Sequence, residues 1–237
     1  MNKKRITIGD PHGMYGILKQ IIDKEDPADF IVLGDYMDSF NIYPEDCLEG
    51  LKKTLKLKDD YNITLLVGNH DAHYFNGWPD RCSGYQRSIA KEAAEVFGEA
   101  LDSGKLRFSF VDESSKTIYT HAGVSKTWFE NWCQGSLGNI ETVDFEAFRF
   151  RGADIYGDDP RNGPLWIRPN SLMLDPYIDN DGFVWDQVVG HTRTMAPSIM
   201  DITDTARLYV MDCITTHYLK EELDENGKVI NRKVCTI

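Results

Sequence analysis

The amino-acid sequence predicts a single α/β domain, and three observations carry that expectation. Strand-like apolar runs alternate with helix-periodic segments through the first half of the chain. The first three runs, Ile6-Thr7-Ile8, Phe30-Ile31-Val32-Leu33 and Ile63-Thr64-Leu65-Leu66-Val67, each lead into a Gly and then into Asp, His or Asn, so polar groups project from strand C-terminal ends. A chain of 237 residues is long enough for one substantial core and shows no linker that would divide it.

The elements follow in order. Residues 5–9 read as a strand, and 14–23 as a helix, because Met14, Ile17, Leu18, Ile21 and Ile22 share one helical face. Residues 30–34 form the next strand. Pro44 near a first turn, with Leu48, Leu51 and Leu55 at helical spacing, predicts a helix over 44–58. A strand over 62–67 precedes a helix over 85–103, which carries Ile89, Ala93, Val96, Phe97 and Leu101 and ends near Gly104. Strands return at 106–111 and 117–121. From about 125 to 185 the chain becomes rich in Trp, Gly, Asn, Asp and Pro, with helices expected at 125–133 and 143–149. That stretch reads as an inserted lid or cap rather than a second domain. Strands resume at 186–190, 207–212, 216–222 and 228–235, the last two joined by the hairpin signal Asp224-Glu225-Asn226-Gly227.

Composition narrows the function classes. No apolar run approaches the roughly 20 residues of a membrane span, and the basic start Met1-Asn2-Lys3-Lys4-Arg5 leads directly into a strand with no leader-like apolar region. A cytoplasmic protein is expected. Cys47, Cys82, Cys133, Cys213 and Cys235 are odd in number and scattered, which favours reduced thiols over a disulfide framework or a structural zinc site. A formal charge of −12, from 26 basic and 38 acidic residues, disfavours stable nucleic-acid binding, because polyanion affinity rests on Lys and Arg. Most of the acidity reads as a solvated surface.

Five short segments carry the chemistry: Gly9-Asp10-Pro11-His12-Gly13, Gly34-Asp35-Tyr36-Met37-Asp38, Gly68-Asn69-His70-Asp71, His121-Ala122-Gly123 and Gly190-His191-Thr192. Carboxylate, amide oxygen and imidazole together suit borderline divalent metals such as Mn, Fe, Zn or Ni, and no thiolate appears among them. Singly these motifs are weak. As an ordered set, GDxHG, GDxxD, GNHD, HAG and GHT, they resemble the calcineurin-like metallophosphoesterase superfamily, in particular its phosphoprotein phosphatase type and the bacterial diadenosine tetraphosphate hydrolases, over residues 9–192.

The resemblance implies a four-layer αββα sandwich and two divalent ions, with Mn favoured. Asp10 and His12 would hold the first ion, Asp35 both, and Asn69, His121 and His191 the second. Two ions roughly 3.5–4 Å apart would bind phosphoryl oxygens and generate a bridging hydroxide for in-line attack. His70 would donate a proton to the leaving oxygen, and Asp38 would pair with it. Asp71 stands where a Glu is often found, as either a turn cap or a catalytic group. His73 and His217 fall outside every motif and read as ordinary loop or strand residues. The implied substrate is a phosphomonoester, either a phosphoprotein or a small phosphorylated metabolite, with dinucleoside polyphosphate or phosphodiester cleavage as the alternative.

Two departures bear on substrate. Position 193 is Arg, where nucleases and cyclic-nucleotide phosphodiesterases of the superfamily carry a second His. Asp38 is followed by Ser39-Phe40, not the Arg-Gly that lets protein phosphatases grip phosphate. Arg168 in Pro164-Leu165-Trp166-Ile167-Arg168-Pro169, and more weakly Arg193 and Arg81, are the candidate replacements, with a surface salt bridge the other reading of Arg168. Tyr74, Phe75, Trp78, Tyr85, Trp128, Trp132 and Trp166 are expected to pack the insertion, with base stacking by one or two as the livelier alternative. A non-catalytic scaffold is a further reading from a different class, separable by metal content.

Overall fold

The computed structural model describes residues 3–78, 80–152 and 158–237. Two sheets stack face to face. The first is built from β1 (Lys3–Ile8), β2 (Asp29–Val32), β3 (Ile63–Leu66), β4 (Leu106–Arg107), β10 (His217–Leu223) and β11 (Val229–Thr236), in the order β11-β10-β1-β2-β3-β4. Its β1 to β4 run parallel, while β10 and β11 add an antiparallel hairpin at one side. The second comprises β5 (Ser109–Asp112), β6 (Thr117–Thr120), β7 (Asp186–Val189), β8 (Ser198–Asp201) and β9 (Arg207–Val210), ordered β5-β6-β7-β9-β8 with β6, β7 and β9 parallel.

Side-chain alternation along each strand sorts the apolar residues into layers. Ile6, Ile8, Phe30, Val32 and Leu65 face outward into a core shared with Leu18, Ile21 and Ile22 of α1 (Tyr15–Glu25), Leu48 and Leu51 of α2 (Pro44–Lys56), and Ala93 and Phe97 of α4 (Ala90–Asp102). Their neighbours Ile31, Leu33, Leu66 and Leu219 point the other way, against Tyr119, Val188 and Tyr209 of the second sheet. The far face of that sheet, through Val189, Leu208 and Val210, is covered by Leu172 of α6 (Pro169–Leu174) and by Ile167. The result is the expected order of helix, sheet, sheet and helix.

A buried ionic network also ties the sheets together. Arg5 Nη1 of β1 donates to Asp112 Oδ2 of β5 at 2.8 Å and to Tyr119 Oη of β6 at 3.0 Å, and Arg232 Nε of β11 donates to Glu221 Oε1 at 2.7 Å. Tyr119 Oη donates to the same Glu221 carboxylate, so each buried charge has a partner. No helix among the described residues is long and apolar enough to cross a membrane.

Several expected elements differ. The strand expected over 106–111 is two, broken at Phe108: β4 ends the first sheet and β5 opens the second, so the chain changes sheets where Glu141 accepts the Phe108 and Ser109 amides. The helix expected from 85 begins only at Ala90, and 85–89 stay non-helical beside Tyr74 and His73. Residues 143–149 form only a 3-10 turn over Phe145–Phe148. Strand β8, helix α6 and the single turn α3 (Asn69–Ala72) carry no periodic signal long enough to read.

The stretch 125–185, of which 153–157 lie outside the described residues, contains α5 (Lys126–Trp132) and α6. Its Trp128, Phe148 and Leu165 are fully buried in the helix-side core, so part of it is a structural layer. The expected aromatic packing is observed for Tyr74, Phe75, Trp78 and Trp128, all buried there.

Candidate metal centre and proton-donor site

All five motif segments follow strands, namely β1, β2, β3, β6 and β7, that run parallel within their own sheets. The ends of the two sheets meet closely enough that the His191 N–H donates to Asp10 Oδ2 at 2.8 Å across the sandwich. Two glycines make that approach feasible. A Cβ on Gly190 would sit 1.9 Å from Asp10 Oδ1, and one on Gly68 would sit 2.1 Å from Asp35 Oδ1. The turns are also strained. His12, Asp35, Asp38 and His191 all adopt positive φ, at 40°, 57°, 61° and 59°. Non-glycine residues in that region cost about 1–3 kcal/mol each and cluster where function requires a set direction.

The six expected ligands fall together. One ligand atom each from Asp10, Asp35 and His121 lie within 4.8 Å of one another, and all three residues are buried. His121 Nε2 stands 2.8 Å from Asn69 Oδ1 and 3.4 Å from Asp35 Oδ2. His191 Nδ1 is 3.0 Å from the same amide oxygen, and His12 Nε2 is 3.7 Å from Asp35 Oδ2.

The donor chemistry fits bound cations. His121 Nδ1 donates to Leu33 O and His12 Nδ1 to Met37 O, both at 2.9 Å, so each ring presents Nε2 to the cluster. Burial holds the His121 imidazole below its usual pKa, hence neutral, with a lone pair facing Asn69 Oδ1 and Asp35 Oδ2. Converging acceptors repel one another, and a shared cation relieves them. Asp10 Oδ1 is buried without a hydrogen-bond partner among the described residues. Burial, and then Asp212 and Asp35, raise the Asp10 carboxyl well above its usual range, the mark of negative charge that lacks a counter-ion.

Beside this cluster, His70 Nδ1 lies 3.1 Å from Asp38 Oδ2. Burial works against the imidazolium, yet the Asp35 field and the Asp38 hydrogen bond push the His70 pKa up to about 12. The backbone N–H of His70 donates to Asp35 Oδ1 at 2.9 Å, which ties the ring's position to the candidate metal donors.

Arg168 and Arg193 are placed differently. Arg168 is half-buried, with Nη1 donating to His191 O at 2.9 Å and Thr192 Oγ1 at 3.1 Å, so it braces the loop that carries His191. Arg193 is exposed, and its charge reaches Asp212. Arg81 lies over the Tyr85 ring, 4.3 Å from its centroid. The half-buried Trp166 meets the His191 ring edge-on with centroids 6.1 Å apart, whereas Trp132 lies under Arg151.

Sequence reasoning missed three neighbours and left the role of a fourth open. His73, read as an ordinary loop residue, is buried with Nε2 2.7 Å from Asp38 Oδ2. Cys82 places Sγ 3.0 Å from His73 Nδ1. Asp212 follows β9 and is pushed up to about 6, first by burial, with His12 opposing and Asp35 adding. Its signal was available: Leu208-Tyr209-Val210-Met211 is another apolar run ending in Asp. Asp71, left open between cap and catalyst, accepts backbone amides from both adjoining loops.

Comparison with known proteins gives the family and the fold. Residues 4–205 match the family model described as calcineurin-like phosphoesterase. Among curated proteins, the chain is 26% identical over 167 residues to symmetrical bis(5'-nucleosyl)-tetraphosphatases of Salmonella paratyphi C (strain RKS4594) and Klebsiella pneumoniae (strain 342). Those alignments cover 65% of this chain and 56% of the relatives' length. Among solved structures, a Saccharomyces cerevisiae protein serine/threonine phosphatase with similarity to human phosphatase PP5 superposes with a TM-score of 0.58 at 14% identity, covering 100% of this chain and 80% of the other. A metallophosphoesterase from Sphaerobacter thermophilus gives 0.53 at 13% identity, covering 100% and 89%. These two likenesses speak to the fold. With most of its length matched by the family model, this chain belongs to the calcineurin-like phosphoesterases.

Proposed function

We propose that the protein is a phosphomonoesterase that uses two divalent ions, with Mn favoured and Fe, Zn or Ni also suited to the donors. Asp10 and His12 would hold one ion, Asn69, His121 and His191 the other, and Asp35 both. When bound, such a pair polarises the phosphoryl oxygens and activates water for attack. The chain's own groups do the rest. His70 carries a proton at the edge of the donor cluster and delivers it to the leaving oxygen, while Asp38, itself held by Tyr74 Oη at 2.7 Å, keeps the ring oriented. Arg168 holds the Gly190-His191-Thr192 turn in register, and the exposed Arg193 meets the incoming phosphate. The part of 125–185 that carries Trp166 and Arg168 acts as the cap over the phosphate end.

One observation carries the choice of an alcohol-releasing monoester over an anhydride, the half-buried His70–Asp38 pair. An alkoxide is a far poorer leaving group than a phosphate, so a maintained imidazolium contributes most when an alcohol departs. A second reading, symmetrical cleavage of dinucleoside polyphosphates, is supported by the activity for which the bis(5'-nucleosyl)-tetraphosphatase relatives are named and by Phe40 and Tyr43, 81% and 78% exposed in the loop after Asp38. Aromatic faces there suit nucleobases.

The experiment is Mn²⁺-dependent turnover of p-nitrophenyl phosphate, its bis-ester, a phosphothreonine peptide and diadenosine tetraphosphate, with His70→Asn as control. Monoesters turned over selectively, with the phosphothreonine peptide slowed more than p-nitrophenyl phosphate in the variant, support the first reading. A preference for the dinucleotide that survives His70→Asn supports the second and rejects the first.

A further inference from the structure

The donor-rich cluster beside the metal centre contains a second constellation. Asp38, His70 and Cys82 each offer a ligand atom, and the three atoms lie within 4.8 Å of one another. They come from three separate segments: the loop after β2, the turn α3, and the loop that precedes α4. A tetrahedral zinc site with bonds of about 2.0–2.3 Å has ligand-to-ligand edges of roughly 3.3–3.8 Å. The observed spacing needs only a modest contraction, and His70 Nδ1 and Asp38 Oδ2 are already at 3.1 Å. Cys82 is half-buried, and the His70 side chain is 16% exposed, so an ion can enter without unfolding the loop.

We propose that Asp38, His70 and Cys82 form a third cation site that takes a thiophilic divalent ion, Zn²⁺ or Cd²⁺, and that its occupation switches the enzyme off. Donor softness separates it from the dinuclear cluster. The six ligands there are carboxylate, amide and imidazole, which accommodate Mn²⁺, whereas a thiolate selects softer ions. Charge agrees: one carboxylate and one thiolate with a neutral imidazole neutralise a divalent ion. Binding displaces the proton of the Cys82 thiol, now held 3.6 Å from Asn69 O, together with the extra proton of the His70 imidazolium, and both pass to solvent. His73 remains as support, with Nε2 2.7 Å from Asp38 Oδ2. The switching follows from competition for one ring, because an ion on a ring nitrogen of His70 occupies the place of a proton. With one ring nitrogen on the ion and its partner Asp38 drawn into the same site, the ring is no longer free to serve the leaving oxygen. This half rests on the proton-donor reading of His70, while the binding half does not.

The test uses the full chain loaded with Mn²⁺ and titrated with Cd²⁺ in thiol-free buffer. Three quantities are followed: the ultraviolet thiolate-to-cadmium charge-transfer absorption, the Mn and Cd content per chain, and turnover of a phosphomonoester. The expected result is one Cd²⁺ gained with Mn²⁺ retained, the absorption saturating as activity falls. Cys82→Ser and Cys82→Ala should keep Mn-dependent turnover, lose the absorption and need at least about 10–100-fold more Cd²⁺ for inhibition, the scale already reached by losing an outer-shell partner of a metal ligand. Cys235→Ser, which alters the other half-buried thiol, should change nothing. Absorption that persists in the Cys82 variants, or Cd²⁺ taken up only as Mn²⁺ is released, overturns the site. Filling without inhibition overturns the switching and the donor role together. Failure to fill overturns the site alone, since His70→Asn tests the donor role independently.

Discussion

The Asp71 carboxylate accepts the backbone N–H of Asp35 at 2.8 Å, and through that bond the third motif segment holds the second in place. Its two oxygens also accept the amides of Tyr36, Met37 and Gly68. This accounts for a buried carboxylate beside the metal donors: it supplies acceptors to a loop whose Asp35 sits at positive φ. Replacing one oxygen by an amide NH₂ would set donor against donor. Asp71→Asn should therefore cost about 2–4 kcal/mol of stability and lower Mn²⁺ retention with it. Urea unfolding and metal content measure the two, and a variant as stable and metal-rich as the parent would refute the bracing role.

Removing Asp35 should act differently from removing His70. Asp35 lies between His12 and His121, so Asp35→Asn is expected to abolish metal uptake and activity together. His70→Asn should retain both ions while slowing turnover by about 10²–10⁴. The loss should grow as the leaving group becomes less activated. A constant loss across a series of aryl and alkyl phosphates would contradict proton donation.

The Asp38 pair predicts a change in pH profile. His70 is held protonated against burial by Asp35 and Asp38, with its pKa raised to about 12. Taking away the Asp38 charge removes support for the cation, so Asp38→Asn should move the alkaline limb of kcat to lower pH while the acid limb stays. An unshifted alkaline limb would show that Asp38 does not govern the proton on His70.

Arg168 and Arg193 should separate in kinetics. Arg168 braces the His191 loop through His191 O and Thr192 Oγ1, whereas Arg193 is exposed at its rim. Arg168→Met is expected to lower kcat and metal retention. Arg193→Ala should raise KM with metal content unchanged, and the reverse pattern would exchange their roles.

Away from the site, Glu25 gives a stability prediction. Burial would raise its carboxyl, but hydrogen bonds from Tyr218, Lys220 and Lys4 outweigh burial and bring it from 4.5 down to about 2. A depressed carboxylate contributes stability above its unfolded pKa, and that contribution is lost as pH falls through the folded value. Glu25→Gln should therefore cost about 1–3 kcal/mol at pH 7, and most of that penalty should be gone by about pH 2. A penalty independent of pH between about 4.5 and 2 would show packing, not charge, to be responsible.

Much of this protein was legible as pattern. Period-2 and helical runs located β1, α1, β2, α2, β3 and the closing hairpin to within a few residues, because those elements bury a face that local spacing already encodes. The five motif segments named the six ligand candidates and His70–Asp38, since donors that share one site must be carried on short strand-end turns. What lacked a local signature was hidden. The switch of sheets at Phe108 depends on Glu141 accepting its amide from 33 residues away. The environments of His73 and Cys82 were equally unreadable, because each meets its partners through chain folding rather than through spacing. The sequence by itself determined the donor types and the layers they emerge from, through residue chemistry and periodicity. Only the tertiary structure decided which neighbours converge on Asp38 and which Arg braces the site, because burial, hydrogen bonding and charge between distant segments exist only once the two sheets are packed together.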